Sequence, residues 1–293
     1  MTDKMTGNIV FAQNSMISGS ATVPESVSVG PFCVIGDGVV IGEGAALGVG
    51  CVLAEGVKLG AGVRLGNYVT VQEGAVLGDE IQVGDHSTVY PGAQIGKYSF
   101  IGSSSTVGRP PRAAATSTVK ASTDLPPLQM GEGCTIGCSA VIYSGTTYGD
   151  KVFIGDGAVV RERCQIGQNV VIGSGAAVEN DTKIGAYTKI QTGSYITAYM
   201  EIEERVFIAP MVTTTNDNYM GRTEKRFKYI KGATICKGAR IGGGSILLPG
   251  IKVAPETFVA AGALVTKDTA EKTVVKGFPA RDISPVPEEE LLP

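Results

Sequence analysis

A six-residue repeat of aliphatic side chains runs through almost the whole chain. Glycine usually follows the aliphatic residue, and the fifth position of each hexad is usually small, as in "IGEGAA", "IGSGAA" and "IGGGSI". Because alternate residues of a strand share one face and glycine tolerates tight corners, each hexad predicts a short strand followed by a corner. Three hexads then close one triangular coil of 18 residues, and successive coils pair their backbones about 4.8 Å apart.

Two interruptions divide the repeat into three blocks. The blocks run from Ile17 to Val107, from Met130 to Thr214 and from Tyr229 to Val265. We therefore predict an all-β solenoid with two loop insertions, near residues 108–129 and 215–228. The solenoid is expected to form a single domain over residues 1–283, and the Pro-rich, acidic tail 284–293 is expected to carry no chemistry.

Composition excludes several classes of partner. The 293 residues are 43% hydrophobic and 18% charged, which is typical of a globular chain, and the net charge of -3 gives no reason to expect nucleic acid. No apolar run approaches the roughly 20 residues of a membrane helix, and the first residues carry no apolar targeting segment. The sequence therefore predicts a cytoplasmic protein without a membrane partner.

Cysteine and histidine placement argues against a metal site. Cys134 and Cys138 have no second ligand pair, and the only histidine, His86, lies in "VGDHST", where a corner residue is expected. The fifth, inward hexad position carries four cysteines that we expect to fill the core: Cys33, Cys51, Cys134 and Cys164.

One edge of the predicted prism repeatedly lacks glycine at its corners. Residues 18 apart stack on one corner, and the exceptions on this edge are Ala54, Gln72, Tyr90, Tyr143, Arg161, Glu179 and Thr197. Both insertions leave from the same edge in this register. Since insertions on one face of a solenoid often mark its binding face, we predict the functional site here.

Each insertion carries an excess of basic residues. The first has Arg109, Arg112 and Lys120 against Asp124, and the second has four cations against two carboxylates: Arg222, Lys225, Arg226, Lys228, Asp217 and Glu224. Such cations, Arg109 among them, are candidates to neutralise a diphosphate, although solvated loop charge explains them equally well.

A polar cluster is predicted on the same edge. Its lower wall consists of Arg161, Glu162, Glu179 and Asn180, and its upper wall comes from the segment "TTTNDNY", which supplies Asn216, Asp217, Asn218 and Tyr219. This register explains why an otherwise regular repeat contains so polar a segment.

The repeat resembles that of the hexapeptide-repeat acyltransferases over nearly the whole chain. The resemblance implies a left-handed parallel β-helix, because periodicity alone does not give the hand. It also implies a homotrimer with acyl-CoA in the groove between neighbouring prisms. Acyl-CoA would be a co-substrate, with no permanently bound cofactor.

Three local segments narrow the resemblance. "ENDTKIG", "KIQTGSYIT" and "VTTTNDNYMGR" resemble the bacterial nucleotide-linked amino-sugar N-acyltransferases, including those that act on dTDP-linked amino-deoxysugars. By this resemblance Glu179 and Asn180 would face the sugar amine. Gln191 and the loop from Asn216 to Tyr219 would hold the sugar.

The expected chemistry needs no histidine. Neither insertion contains one, and an amine that is partly neutral attacks a thioester once it is positioned and a carboxylate such as Glu179 takes its proton. Asp156 in "IGDGAV" is either a corner residue or a second catalytic carboxylate, which would reach the site only across a subunit interface. The terminal segment resembles that of many hexapeptide transferases, and the candidates for the CoA phosphates there are Lys267, Lys276 and Arg281.

Other functions on this repeat are distinguishable. A γ-class carbonic anhydrase needs more histidine ligands, and a sugar nucleotidyltransferase needs an additional α/β domain for which no residues remain. An O-acetyltransferase acting on a sugar hydroxyl and a non-enzymatic scaffold stay open as alternatives, although a scaffold predicts regular edges without basic insertions. The sequence leaves open the sugar, the nucleotide, the position of the amine and the length of the acyl group.

Overall fold

The computed structural model describes residues 10–12, 14–117, 122 and 124–292. The chain forms two compact units, Met1–Lys151 and Val152–Pro293, which we describe separately. The single domain expected over residues 1–283 stays a prediction. Lys120, one of the cations of the first insertion, lies outside the described residues.

The first unit has three faces of short strands. Its first face contains Val10–Ala12, Ser15–Ile17, Val34–Ile35, Val52–Leu53, Thr70–Val71, Thr88–Val89, Thr106–Arg109 and Val141–Tyr143. Its second face contains Val40–Ile41, Lys58–Leu59, Val76–Leu77, Gln94–Ile95, Gln129–Met130 and Thr147–Tyr148. Its third face contains Ser28–Val29, Ala46–Leu47, Arg64–Leu65, Gln82–Val83, Phe100–Ile101 and Thr135–Ile136.

The second unit repeats this arrangement. Its first face contains Val159–Val160, Ala177–Val178, Tyr195–Ile196, Thr213–Thr214, Ile246–Leu247 and Leu264–Val265. Its second face contains Gln165–Ile166, Lys183–Ile184, Glu201–Ile202, Thr234–Ile235 and Lys252–Val253. Its third face contains Phe153–Ile154, Val171–Ile172, Lys189–Ile190, Phe207–Ile208, Arg240–Ile241, Phe258–Val259, Thr273–Gly277 and Ala280–Pro285.

Neighbouring strands of a face pair in parallel, one coil apart. Thr70 lies opposite Thr88, for example, and Val71 lies opposite Val89. Antiparallel pairs occur where Val10–Ala12 meets Ser15–Ile17 and where Thr273–Gly277 meets Ala280–Pro285. The predicted fold, an all-β left-handed parallel β-helix with two loop insertions, is confirmed.

The core follows the hexad pattern. In the hexad that starts at Ile41, the aliphatic residue is 2% exposed and the fifth residue, Ala45, is 1% exposed. The four cysteines at fifth positions are all buried, which confirms their predicted place in the core: Cys33, Cys51, Cys134 and Cys164.

Each insertion joins a first-face strand to a second-face strand. The first leaves at Thr106–Arg109 and returns at Gln129–Met130, and the second leaves at Thr213–Thr214 and returns at Thr234–Ile235. The second insertion contains the short α-helix Arg226–Tyr229. Whether both insertions share one edge stays a prediction, because they belong to different units.

Two glycines of one corner serve different purposes. A Cβ added to Gly42 would lie 2.4 Å from the Ala61 backbone nitrogen of the next coil, so this position has no room for a side chain. Gly44 has φ of +68° and open space around it. Its conformation is one that tyrosine and histidine also adopt in this chain, as Tyr68 and His86 show.

Gly42→Ala is therefore expected to destabilise the protein by about 1 to 3 kcal/mol, since the added methyl group clashes with backbone. Gly44→Ala keeps the space free and is expected to have the smaller effect, because only the left-handed conformation opposes it. Equilibrium urea unfolding of both variants measures the difference. Equal stability of the two variants would contradict the steric explanation of the repeat.

Candidate functional site

A cluster of charged side chains lies on one edge of the second unit. We call this the polar edge and define it by the corners 161–163, 179–181 and 197–199, which connect first-face to second-face strands, together with the insertion from residue 215 to 233. The Arg161 backbone N–H donates to the Val178 carbonyl and the Glu179 N–H donates to the Ile196 carbonyl, each at 2.8 Å. Backbone ladders therefore stack these corners in register.

Arg161 links two carboxylates at this edge. Its Nε donates to Glu162 Oε2 at 2.8 Å and its Nη2 donates to Glu162 Oε1 at 3.1 Å. Its Nη1 lies 3.5 Å from Glu179 Oε2. The guanidinium is therefore held by Glu162 and presents its remaining edge to Glu179.

Glu162 lies behind Arg161. The residue is only 3% exposed, and both carboxylate oxygens accept hydrogen bonds from Arg161. Register gives the corner of Glu162 but not the direction of its side chain, and a direct substrate contact by Glu162 stays a prediction. Arg161 and Glu179 retain side-chain exposures of 32% and 25% and remain accessible to a ligand.

The surroundings of Glu179 shift the pKa of its carboxyl group. Burial raises the pKa of this carboxyl, the Arg161 charge lowers it, and the nearby Glu162 carboxylate raises it, so that the net pKa lies above its ordinary value. Burial also raises the pKa of Tyr195, and the charge of Glu179 adds to that rise. A carboxyl whose pKa is raised in this way is a candidate proton acceptor.

Tyr195 is a site residue that the sequence analysis missed. It occupies the outward position of the first-face strand Tyr195–Ile196 and is 41% exposed. Its available signal was an aromatic residue facing outward directly before a corner of the polar edge. Register places it on the first face, but its electrostatic interaction with Glu179 depends on the rotamers of both side chains.

The third residues of two of these corners, Arg163 and Asp181, form a second ion pair. Arg163 donates from Nε to Asp181 Oδ1 and from Nη2 to Asp181 Oδ2, each at 2.7 Å. The Asn180 amide also donates to Asp181 Oδ2, at 2.5 Å. This hydrogen bond holds the Asn180 side chain against Asp181.

The second insertion folds around Asp217. This carboxylate accepts the N–H groups of Tyr219 at 2.8 Å and Gly221 at 2.9 Å, and it lies 3.1 Å from Arg226 Nε. The Tyr219 N–H bond is the strongest influence that lowers the pKa of Asp217. Its carboxylate is therefore engaged within the loop, and a direct substrate contact by Asp217 stays a prediction.

Asn216 ties the insertion to the polar edge. The Asn216 side-chain amide donates to the Ala198 backbone carbonyl at 3.3 Å. The Asn216 backbone carbonyl accepts from the Lys231 N–H at 2.9 Å. Asn218 is exposed. The Tyr219 ring lies 5.9 Å from the Tyr229 ring, with Lys225 Nζ 5.0 Å from the Tyr219 centroid.

Two predicted site residues lie on a different edge of the second unit. Asp156 and Gln191 occupy corners that connect third-face to first-face strands, whereas Glu179 follows a first-face strand. Asp156 is exposed, and its carbonyl accepts the Gly175 N–H at 2.8 Å. Within one chain, therefore, neither residue shares the corner of Glu179.

His86 is a corner residue of the first unit, as predicted. It has φ of 60°, is exposed, and its ring stacks on that of Tyr68 at 5.2 Å.

Arg109 lines a cavity of about 530 Å³ in the first unit, together with Tyr90, Pro110, Pro111 and Arg112. Its guanidinium lies 5.5 Å from the centre of the Tyr143 ring. Two predicted cations, Arg109 and Arg112, thus share this cavity lining with the Tyr90 ring and two prolines. Such a lining suits a flat, negatively charged group.

Two of the three C-terminal cations also share a cavity. Lys267 and Arg281 line a space of about 250 Å³ that Asp268 and Asp282 border as well. Lys276 lies opposite Arg281 in the antiparallel strand pair. The acidic neighbours reduce the positive charge that would attract the CoA phosphates.

Within the described residues, no group of three or more His, Cys, Asp or Glu side chains is placed to hold a metal ion. In the same part of the chain, none of the helices has the length and apolar character required to cross a bilayer.

Family models match several segments of the chain. The model described as "Bacterial transferase hexapeptide (six repeats)" matches residues 38–73, 146–180 and 163–198. The model described as "Hexapeptide repeat of succinyl-transferase" matches residues 127–162. The matched segments, residues 38–73 and 127–198, thus carry the transferase-type hexapeptide repeat.

Two curated relatives share parts of the sequence. A Saccharomyces cerevisiae protein named "Putative acetyltransferase" is 31% identical over 96 residues, which is 32% of this chain and 49% of the relative. A Schizosaccharomyces pombe protein named "Putative serine acetyltransferase" is 45% identical over 58 residues, 20% of this chain and 19% of the relative. The chain thus spans about half of the first relative and about a fifth of the second.

Among solved structures, the UDP-N-acetylglucosamine acyltransferase of Arabidopsis aligns with 92% of this chain and 74% of its own, at 18% identity and a TM-score of 0.38. Likeness at this score does not bear on function.

Titration of Glu179 tests the electrostatics of the polar edge. Because Arg161 lowers the pKa of Glu179, Arg161→Gln is expected to move that pKa further upward. Carbon-detected NMR of labelled glutamate carboxyls measures the titration, with Glu179→Gln identifying the signal. Lys183→Gln, which removes an exposed cation on the second face, serves as the control. The described environment would be contradicted if Glu179 had an ordinary pKa that did not change in Arg161→Gln.

Proposed function

We propose that this protein is a CoA-dependent N-acyltransferase that acylates the amino group of a nucleotide-linked amino-deoxysugar. The observation that carries the proposal is Glu179, a partly exposed carboxylate with a raised pKa beside Arg161. The transferase-type repeat and the two acetyltransferase-named relatives support acyl transfer. The acceptor class rests on the resemblance of the corner and insertion segments around Glu179.

The proposed reaction is acyl transfer to nitrogen. The neutral amine attacks the thioester carbonyl, and the nitrogen loses a proton to Glu179 as the C–N bond forms. The C–S bond then breaks, and the CoA thiolate leaves and takes up a proton. Asn180, which Asp181 fixes, orients the sugar, and Arg161 keeps the Glu179 carboxylate available as a base.

The substrates are assigned to the remaining predicted residues. The insertion residues Asn216, Asn218 and Tyr219 bind the acceptor sugar. Arg109 of the first unit stays a candidate for binding a diphosphate. Acyl-CoA is the co-substrate, and its phosphates lie near the C-terminal cations Lys267, Lys276 and Arg281. The predicted cytoplasmic location suits both substrates.

A homotrimer completes this proposal. Asp156 and Gln191 lie on another edge than Glu179, so they join its site only if a second copy brings that edge close. Sedimentation should therefore show three times the chain mass of 30.2 kDa. A monomer that still binds acyl-CoA would contradict the assembly.

Glu179→Gln tests the chemistry directly. The variant is expected to lower kcat and kcat/KM together by about 100-fold to 10,000-fold, because a general base acts mainly in the transition state. Affinity for CoA is expected to change little. Steady-state kinetics with a panel of amino-sugar nucleotides and acyl-CoAs measures both effects.

His86→Ala is the matched control and is expected to retain full activity, since His86 lies on a corner of the first unit. Mass spectrometry and NMR of the product distinguish an amide from an ester. An ester, or full activity of Glu179→Gln, would favour the O-acetyltransferase alternative.

A further inference from the structure

A groove of about 600 Å³ lies on the third face of the second unit. Its floor consists of outward side chains from four neighbouring strands. Lys189 lies opposite Phe207, Phe207 lies opposite Arg240, and Arg240 lies opposite Phe258. The backbone ladder thus alternates cations with aromatic rings along the groove.

Each groove arginine lies beside an aromatic ring. The Arg205 guanidinium is 5.1 Å from the centre of the Tyr187 ring, and the Arg240 guanidinium is 5.2 Å from that of Phe258. Tyr187 is 44% exposed and Phe207 is 38% exposed. These rings therefore keep accessible surface on which another flat group can stack.

The C-terminal tail forms part of the groove. Arg240 donates to the Glu290 carboxylate at 2.7 Å and to the Glu290 carbonyl at 3.0 Å. The Leu292 N–H lies 3.4 Å from Glu256 Oε2, and the Leu292 side chain lines the groove. The tail that was expected to carry no chemistry is therefore attached to the third face.

The charges of the groove are unevenly balanced. Of Lys189, Arg205 and Arg240, only Arg240 forms an ion pair within the described part of the chain. Two cations thus remain for an anion, and a third becomes available when Glu290 moves away. Guanidinium groups bind phosphate oxygens through paired hydrogen bonds.

We propose that this groove binds a nucleoside phosphate, with the base on the aromatic rings and the phosphate on Arg205 and Lys189. Its volume falls within the roughly 300 to 1,000 Å³ of small-molecule sites. Stacking of bases on aromatic side chains is largely independent of base identity. Glu290 competes with the phosphate for Arg240.

The inference rests on the proposed function only for the source of the nucleotide. Acyl-CoA contains an adenine nucleotide, and the acceptor contains a second nucleoside diphosphate, so both substrates offer the same chemistry. Whichever substrate binds here places its phosphate on Arg205 and Lys189 instead of on the cations proposed for it above. Binding of ADP, CoA, UDP, dTDP and GDP tests this shared chemistry. Because stacking depends little on the base, competition by intact acyl-CoA and by the intact amino-sugar nucleotide distinguishes the two sources.

Isothermal titration calorimetry of the full chain with these five compounds tests the site. Arg205→Gln is expected to lower nucleotide affinity about tenfold, because it removes a charge-assisted contact to phosphate. Glu290→Gln is expected to tighten binding severalfold, since it removes the carboxylate charge that competes with phosphate for Arg240. Phe207→Leu is expected to weaken binding by removing a stacking surface while keeping an apolar side chain.

Lys183→Gln is the matched control, because it removes an exposed cation on the second face and should leave affinity unchanged. Circular dichroism checks that each variant is folded. Equal nucleotide affinity of wild type, Arg205→Gln and Phe207→Leu would overturn the proposal. It would also be overturned if the protein bound none of the nucleotides while the groove variants sedimented differently from wild type, because the groove would then be a contact between copies.

The two proposals fail separately. Amide formation with an intact acceptor and acyl-CoA, together with no effect of the groove variants on nucleotide affinity, overturns only the groove. Nucleotide binding that Arg205→Gln weakens, without amide formation from any acceptor, supports the groove and overturns the proposed acyl transfer.

Discussion

The backbone ladder between successive coils is the constraint on which the structure depends. Within an uninterrupted block of the repeat it places each corner against the corner 18 residues later. At Gly42 a single added carbon atom would therefore meet the backbone of the next coil at 2.4 Å. The same ladder stacks Arg161 over the corner of Glu179, where the first position carries long polar side chains. Because the coils stack regularly, the corners that carry polar side chains in place of glycine lie next to one another.

Much of the fold could be predicted because the repeat determines which residues face inward. The buried cysteines and the corner position of His86 follow from register alone. Register also separates Asp156 from Glu179, since their corners follow different faces. The Glu162 side chain could not be placed in this way, because register gives its corner but not its hydrogen bonds to Arg161.

The groove and the tail were beyond the sequence for a different reason. Residues after the last hexad have no periodicity, so nothing predicted that Glu290 would reach Arg240. Register places Lys189, Phe207, Arg240 and Phe258 outward on the third face. The groove depends on the tail as well, because Leu292 forms part of its lining. Contacts between distant segments, rather than local pattern, define this surface.

Hydrogen–deuterium exchange with bound acceptor tests most directly whether the polar edge is the functional site. The protein would be compared with and without the amino-sugar nucleotide that it acylates best. If the polar edge is the site, exchange slows in peptides from three of its segments, which contain residues 161–163, 179–181 and the insertion 215–233. Unchanged exchange in all three segments, with protection only at other corners, would contradict it.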